Sequence, residues 1–231
     1  MSLASVSVFK GMSPSELSRL EQASQIVEPR DGAAIFSQGD PSDAVYAIVG
    51  GEGHVRIGII DRRSKAAMVE VFRTGDIFGE LGVIDGDIRS ADALAEGRVR
   101  LARIGATAFL EAITRSPALG EALCRTLTQR LRRTTKLFED ATFETLAVRL
   151  ARQILYLAER EGRQTPQGLR LAGRFRQSDL ADLMGATTRS IITILNAWRA
   201  EGIVAYDAER ALLTVRNPAE LRKIIEADPG E

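Results

Sequence analysis

Residues 177–196 read QSDLADLMGATTRSIITILN, and their spacing decides the fold of the C-terminal part of the chain. Two helices that cross steeply need a small side chain where their backbones approach, and Ala181 stands at that place. The turn between them needs a positive φ, which Gly185 adopts at little cost, and Thr187 can cap the second helix. The positions that would bury the crossing are Leu180, Met184, Ala186, Ile191 and Ile194, all apolar. The segment therefore predicts a helix-turn-helix.

The second helix of this unit would present Thr188, Arg189 and Thr193 to a major groove, where side chains read base edges. After it, residues 203–206 and 212–215 predict a β-hairpin wing. Candidate phosphate contacts, which set affinity and register but not sequence, are Arg174, Arg176, Arg199 and Arg210. The predicted DNA-contacting set is Arg176, Ser178, Thr187, Thr188, Arg189 and Thr193. The alternative is a helical hairpin that binds no nucleic acid.

Composition excludes or disfavours several kinds of covalent link and cofactor site. The chain has 231 residues, of which 45% are hydrophobic and 27% charged, which is ordinary for a globular protein, and this length favours two domains. Cys124 and His54 are its single cysteine and histidine. An intrachain disulfide, a four-thiolate iron–sulfur cluster and a His-rich zinc site are therefore excluded, and haem is disfavoured. Because no signal peptide and no run of about 18 apolar residues is visible, we expect a soluble cytoplasmic protein.

The first half of the chain predicts strands. Short alternating or apolar segments recur between glycine-rich or charged turns, and such spacing favours an antiparallel barrel or sandwich. The segments are residues 33–36, 44–49, 54–60, 66–72 and 99–104, with one of the turns at 61–64. Near the start, Ser13, Pro14 and Glu16 form the signature of a capped helix that runs to about Ala23.

One loop of this half carries residues suited to bind phosphate. A strand is expected to end at Phe78 and a short helical turn to begin near Glu80, so that free N–H groups would face an anion. Gly79 lets a ligand approach the backbone, Arg89 can pair bidentately with a phosphate, and Ser90 adds a hydroxyl donor. Glu80 would repel a phosphate, unless it accepts from a sugar hydroxyl while a cation balances its charge. The alternative is a surface loop with an ordinary Glu–Arg ion pair.

Residues 121–161 contain no glycine or proline and predict helices. One apolar seam recurs at steps of three and four, as in coiled coils. Its members are Cys124, Leu127, Leu131, Thr134, Phe138 and Ala141. Because no partner helix is near in sequence, we expect the seam to pair with a second copy of the chain; the alternative is packing on the β-domain. A second helix is expected over 144–161, with short strands at 168–171 and 174–175.

Over about residues 8–216 the chain resembles the cyclic-AMP receptor/fumarate-nitrate regulator (Crp/Fnr) family of bacterial transcription factors. The resemblance lies in Gly79-Glu80-Leu81 with Arg89-Ser90-Ala91, in the seam helix and in the winged helix-turn-helix. It implies an α+β fold in three parts. These are a jelly-roll-like cyclic-nucleotide-binding β-roll over residues 1–117, a long dimerisation helix over 118–141, and a winged helix-turn-helix DNA-binding domain over 142–231.

The resemblance also implies how a nucleotide would be held. Glu80 would accept the ribose 2′-hydroxyl, while Arg89 and Ser90 would hold the cyclic phosphate. The residue types of this set, together with those on the long helix, favour cyclic AMP as the effector over cyclic GMP or another ligand.

A gapless alignment with the family from Arg89 to Arg149 extends the site to the long helix. It places Arg130 where the family's helix arginine meets the cassette glutamate. It places Thr134 and Thr135 where an adjacent hydroxyl pair meets adenine, one from each subunit. The implied partners are double-stranded DNA, a second copy of the chain and RNA polymerase, with no membrane.

The recognition helix departs from the cyclic-AMP receptor pattern. Arg189 occupies the family's glutamate position, and Thr188 and Thr193 occupy arginine positions, so we expect DNA binding at a different target sequence. No Ser/His/Asp set, Cys–His pair or metal cluster is visible, so we expect neither enzyme activity nor a metal, haem or iron–sulfur cofactor. The alternatives are the same scaffold with another effector or none, and a cyclic-nucleotide-binding regulatory protein that acts on a protein partner.

Overall fold

The computed structural model describes residues 3–60, 66–171 and 173–227. Contacts within the chain divide it into two compact units, one up to Arg132 and one from Arg133 onward. The first unit is built mainly from strands and the second mainly from helices, so the predicted α+β class is confirmed. Among the described residues, no helix is long and apolar enough to cross a membrane.

The first unit begins with a capped helix, α1, at Pro14–Gln22. Its N-cap is Ser13, whose Oγ accepts from the Glu16 N–H at 3.4 Å, while the Ser13 N–H donates to Glu16 Oε2 at 2.8 Å. The predicted capping box is therefore confirmed. Helices α2 at Leu81–Asp85 and α3 at Ala106–Arg115 lie further along the unit.

The described strands of this unit form two antiparallel sheets, in the orders β1-β8-β3-β6 and β2-β7-β4-β5. Their bounds are β1 Ser24–Val27, β2 Ala34–Phe36, β3 Ala44–Gly51, β4 His54–Ile60, β5 Ala66–Phe72, β6 Ile77–Phe78, β7 Asp92–Glu96 and β8 Val99–Gly105. The expected strands are confirmed as β2, β3, β4, β5 and β8, and the strand end at Phe78 as β6. Strands β1 and β7 are not predicted from the sequence, and the expected turn at 61–64 lies outside the described residues.

Strand β3 is buried on both faces and joins two apolar clusters. Its side chains alternate between the faces of the sheet, as in any strand. Val45 and Ala47 point to a cluster that includes Phe109 of α3, whereas Tyr46 and Ile48 point to the aromatic interior between the sheets. The strand therefore connects the cluster that contains α3 with the cluster that contains Phe78, where the phosphate loop of residues 79–91 begins.

The long helix, α4, spans Pro117–Phe143. Its first turns are held by the β-domain, because Leu119 and Leu123 are buried in the same cluster as Phe109. Further along, the seam is open to solvent, with Leu131 67% exposed and Phe138 73% exposed. Of the seam residues, Leu127 packs against that cluster, so the alternative of packing on the β-domain holds for this residue.

The second unit contains the predicted helix-turn-helix. Helices α5 at Leu146–Glu161, α6 at Gln177–Met184, α7 at Thr188–Ala200 and α8 at Pro218–Glu226 accompany strands β9 at Arg163–Thr165, β10 at Gly168–Arg170, β11 at Val204–Asp207 and β12 at Leu212–Val215. The turn between α6 and α7 has Gly185 at φ +60°, and Thr187 Oγ1 accepts from the Ser190 N–H at 3.2 Å. Both predicted roles are confirmed, as is the wing formed by β11 and β12.

One predicted strand, at residues 174–175, is wrong. The hairpin partner of β10 is β9, a strand that is not predicted from the sequence, and β10 also pairs with β12. Phe175 donates one backbone hydrogen bond, to Ala211 O at 2.8 Å, and its side chain is 1% exposed. Burial of the Phe175 ring, rather than strand pairing, therefore fixes the segment between β10 and α6.

Replacement of Phe109 by alanine is expected to lower the free energy of unfolding of the first unit by about 3 to 5 kcal/mol, because it leaves a cavity in a core where this ring is fully buried. Leu110→Ala on the same helix is the control, since Leu110 is 40% exposed and its loss should cost no more than about 0.5 kcal/mol. Hydrogen exchange of the β8 amides in increasing urea measures the free energy of unfolding of both variants. Equal losses would contradict the assigned packing.

Candidate functional site

The phosphate loop begins where β6 ends at Phe78. The next residue, Gly79, has φ +74°, a conformation that side chains other than glycine rarely adopt. A Cβ atom on this residue would lie 2.8 Å from Arg89 Nη1 and 3.1 Å from the Phe36 ring. Glycine is therefore required both by the backbone and by the space that Arg89 occupies.

Glu80 follows as the N-cap residue of α2 and is only 2% exposed. Its Oε1 accepts from Arg130 Nη1 at 2.6 Å, and Arg130 Nη2 donates to Ile77 O at 2.6 Å. The Arg130 guanidinium also lies over the Phe72 ring, 4.4 Å from its centroid. The other carboxylate oxygen, Glu80 Oε2, is buried and has no hydrogen-bond partner among the described residues.

Arg89 approaches the same backbone from the other side and is 3% exposed. Its Nη1 donates to Gly79 O at 2.6 Å and its Nη2 to Ala44 O at 2.7 Å, while Asp43 Oδ1 lies 3.4 Å from Nη2. Burial lowers the pKa of the Arg89 guanidinium, and the negative charge of Asp43 opposes that shift. The Nε group is buried and meets no acceptor within the described part of the chain.

Within the part of the chain that the structure describes, the loop thus holds an unpaired acceptor, Glu80 Oε2, and an unpaired donor, Arg89 Nε. Buried polar atoms without partners cost roughly 1 to 3 kcal/mol each, and more for charged groups, so such atoms need an explanation. A single ligand could satisfy both atoms, if it carried a hydroxyl donor for Glu80 and an anionic acceptor for Arg89. A phosphorylated sugar has that combination.

Asp43 is a member of the site that sequence reasoning missed. It lies between two arginines, with Oδ1 facing Arg89 and Oδ2 accepting from Arg103 Nη2 at 2.6 Å. Phe36 was missed too, although the Arg89 guanidinium stacks 4.3 Å from its ring centroid. These residues come from segments far along the chain from Arg89, so only the sheet topology brings them together.

The other predicted ligand residues differ in their exposure. Leu81 is 49% exposed, Ser90 is exposed and Ala91 is half-buried. Thr134 and Thr135 are exposed residues of α4 that belong to the second unit. Among the described residues, no group of three or more His, Cys, Asp or Glu could hold a metal ion.

The predicted DNA-reading face is that of α7. Its buried side carries Ile191, Leu195 and Trp198, whereas Thr188, Arg189 and Thr193 are exposed. The Arg189 guanidinium makes no hydrogen bond or ion pair with the residues that the structure describes, so it is available to a ligand.

Two of the predicted DNA contacts lie at the start of the neighbouring helix. Arg176 is the N-cap residue of α6, where its backbone N–H donates to Asp179 Oδ2 at 2.7 Å, and the residue is exposed. Ser178 in the first turn is exposed as well. Thr187, by contrast, is used by the fold itself as the N-cap of α7.

Comparison with known proteins finds a family match in each of the two units. Residues 26–116 match the cyclic nucleotide-binding domain family, and residues 148–224 match the Crp-like helix-turn-helix domain family. A CRP-like cAMP-activated global transcriptional regulator of Mycobacterium tuberculosis is 30% identical over 92% of this chain and 94% of its own length. The cyclic AMP receptor protein of Thermus thermophilus is 28% identical, over 85% of this chain and 87% of its own.

Among solved structures, the c-di-GMP responsive global regulator CLP of Xanthomonas campestris superposes with a TM-score of 0.74 at 21% identity, over 88% of this chain and 99% of that one. This likeness shows a shared fold. The matches span both units, and the relatives are similar in length. The chain therefore belongs to the Crp/Fnr family of transcription regulators, with a cyclic-nucleotide-binding domain followed by a helix-turn-helix DNA-binding domain.

Proposed function

We propose that the chain is a cyclic-AMP-responsive, sequence-specific DNA-binding regulator that acts as a homodimer. The observation that carries this proposal is the pair of buried, unpartnered atoms on either side of Gly79, Glu80 Oε2 and Arg89 Nε. A cyclic nucleotide supplies a ribose hydroxyl and a phosphodiester anion within one small molecule. The relatives from M. tuberculosis and T. thermophilus, both named for cyclic AMP, support the same ligand.

The chemistry of binding follows from the contacts that are already made. Arg130 neutralises Glu80 through Oε1 and leaves Oε2 to accept the ribose 2′-hydroxyl. Arg89 has both amino groups on backbone carbonyls, so a phosphate would approach Nε or displace the carbonyl of Gly79. Ser90 is exposed beside it and can add its hydroxyl. A bound anion would favour the charged form of Arg89, which burial disfavours.

The homodimer would form along the open part of α4. Leu131, Phe138 and Phe143 are 67%, 73% and 73% exposed, and exposed large apolar side chains on one helix are typical of an interaction surface. Thr134 lies on the seam between Leu131 and Phe138. In a dimer, Thr134 and Thr135 would reach the adenine of nucleotides bound to both protomers.

The response of the protein to cyclic AMP would depend on those contacts between the adenine and both subunits. A ligand shifts a conformational equilibrium only by its different affinities for the two states, and hydroxyls from two subunits supply such a difference. The favoured state would hold two α7 helices about 34 Å apart, one turn of DNA. The division into residues 1–117, 118–141 and 142–231, the contact with RNA polymerase and the cytoplasmic location stay predictions alongside it.

Two alternatives make different predictions. A regulator of the same scaffold with another effector, or none, would bind DNA without any response to cyclic AMP; cyclic GMP and c-di-GMP are the ligands to compare. A regulatory protein that acts on a protein partner would show no salt-dependent DNA binding. The exposed Arg189 on α7, whose guanidinium meets no partner among the described residues, favours the DNA-binding function over that second alternative.

Arg89→Lys is expected to weaken cyclic AMP binding roughly 10- to 150-fold, because a lost hydrogen bond to a charged group is worth about 1.5 to 3 kcal/mol. Lysine keeps the charge but cannot present the Nε donor. Isothermal titration calorimetry measures the dissociation constant. Arg115→Lys, at an exposed residue of α3, is the control. An Arg89→Lys titration that matches the control would refute the phosphate role.

Thr134→Ala and Thr135→Ala are each expected to weaken cyclic AMP binding several-fold, since each removes one hydrogen bond worth about 0.5 to 1.5 kcal/mol. The dimer should persist in sedimentation velocity, because neither side chain supplies the apolar contact. Thr128→Ala is the matched control: Thr128 is exposed on the same helix, and its Oγ1 donates to Cys124 O at 2.8 Å. Identical titrations for all three variants would remove the adenine role.

The function as a whole is tested by DNA binding with and without nucleotide. A duplex selected by the protein from a random pool should bind at least tenfold more tightly when cyclic AMP saturates the protein, as read by fluorescence anisotropy. Equal affinity with and without cyclic AMP would contradict the switch. Absence of any DNA binding would contradict the regulator itself.

A further inference from the structure

A groove lies beside the C-terminal turns of α7, within the second unit. Asn196, Arg199 and Ala200 of the helix form one wall, and Ala205, Tyr206 and Arg216 form the other. Its volume is about 600 Å³, and Ala200 and Ala205, which line it, have small side chains. The groove is thus wide enough for a backbone to lie in, rather than a closed pocket for a small molecule.

The groove is positively charged. Arg199 and Arg216 are both exposed, and neither has a carboxylate within ion-pair distance among the described residues. Other arginines of this unit are neutralised, for example Arg222 by Glu159 at 2.7 Å. Arg199 Nη1 only touches Asn196 Oδ1, at 3.4 Å. Two guanidinium groups therefore border one groove, and the described part of the chain places no anion there to balance them.

The adjoining sheet adds more positive charge. Arg170 pairs in register with Thr214, and Thr214 with Ala205, so their side chains share one face of the sheet. Arg216 follows the last residue of β12 and lines the groove together with Ala205. Arg163 stands directly opposite Arg170 on β9, and like charges placed in that way destabilise a sheet unless an anion neutralises them.

The groove also continues the predicted DNA-reading face. Arg189, Thr193, Asn196 and Ala200 follow one another at steps of four, three and four, so they form one stripe along α7. That stripe lies opposite the buried side of the helix. A duplex in contact with Arg189 and Thr193 would therefore extend along the stripe toward the groove.

We infer that this groove binds a phosphodiester of the DNA backbone, outside the base pairs that the start of α7 reads. The inference rests on the proposed DNA-binding function and adds a second, sequence-independent contact surface to it. Arg199 and Arg216 would hold the phosphate, since the guanidinium fork matches its oxygens bidentately. Tyr206 serves as wall only, because its hydroxyl donates to Phe175 O at 3.1 Å.

The test measures how DNA affinity of the full-length chain depends on salt. Arg199→Ala and Arg216→Ala should each reduce the slope of log K against log salt concentration by about 0.9 for every phosphate that the variant no longer neutralises. Their affinities should fall by similar factors for a selected duplex and for a scrambled one, because phosphates carry no sequence information. Ala200→Glu, which keeps the helix but places a carboxylate in the groove, should weaken binding to both duplexes.

Arg222→Ala is the matched control, as it removes a neutralised arginine from the same unit and should leave the slope unchanged. Thermal unfolding of each variant checks that the helix-turn-helix is intact. If wild-type protein binds DNA and the groove variants keep its slope and affinity, the inference is overturned while the proposed function stands. If the wild-type protein binds no DNA at all, both fall together.

Discussion

The buried Glu80 carboxylate constrains the rest of this structure. One oxygen is paired with Arg130 at 2.6 Å, and the other has no partner among the described residues. Removal of one member of a buried ion pair typically costs about 3 to 5 kcal/mol, so the two side chains must stay together. Because Arg130 belongs to α4 and also holds Ile77 O, the pair fixes the long helix to the end of β6.

That constraint links ligand chemistry to the helix that would carry the dimer. A ligand hydroxyl that donates to Glu80 Oε2 would bind a carboxylate whose Oε1 already accepts from Arg130 of α4. Arg89, on the other side of Gly79, is held by the carbonyls of Gly79 and Ala44 and so belongs to the same short stretch of backbone. Under the proposed function, a nucleotide bound in this loop would therefore act on a helix whose exposed residues include Leu131 and Phe138.

Local rules account for the elements that can be predicted from the sequence. Gly185 and Thr187 act within a few residues of their own positions, at a left-handed turn and a helix cap, so the spacing of residues 177–196 suffices to identify the helix-turn-helix. The capping box at Ser13 is local in the same way. Strand β7, by contrast, is missed because its sequence DALAE has alanine at both buried positions, a weak strand signal, and it is defined by pairing with β4 and β2.

Long-range contacts account for what was not predicted. Asp43 joins Arg89 and Arg103 only because β3 and β8 pair, and nothing in its own neighbourhood marks it. Arg216 follows the last wing strand, and its lack of an ion pair with the described residues depends on which carboxylates the fold leaves elsewhere. Family resemblance supplied the pairing of Arg130 with Glu80, which spacing alone does not give; the adenine contacts of Thr134 and Thr135 stay predictions.

If the proposed function is right, one cyclic nucleotide satisfies both unpaired atoms of the loop, and a crystal structure of the full chain with cyclic AMP would show this. We expect the ribose 2′-hydroxyl within hydrogen-bond distance of Glu80 Oε2, with the phosphate on Arg89 and Ser90 and the Arg130 contact retained. A nucleotide bound elsewhere, with Glu80 Oε2 still lacking a donor, would contradict it.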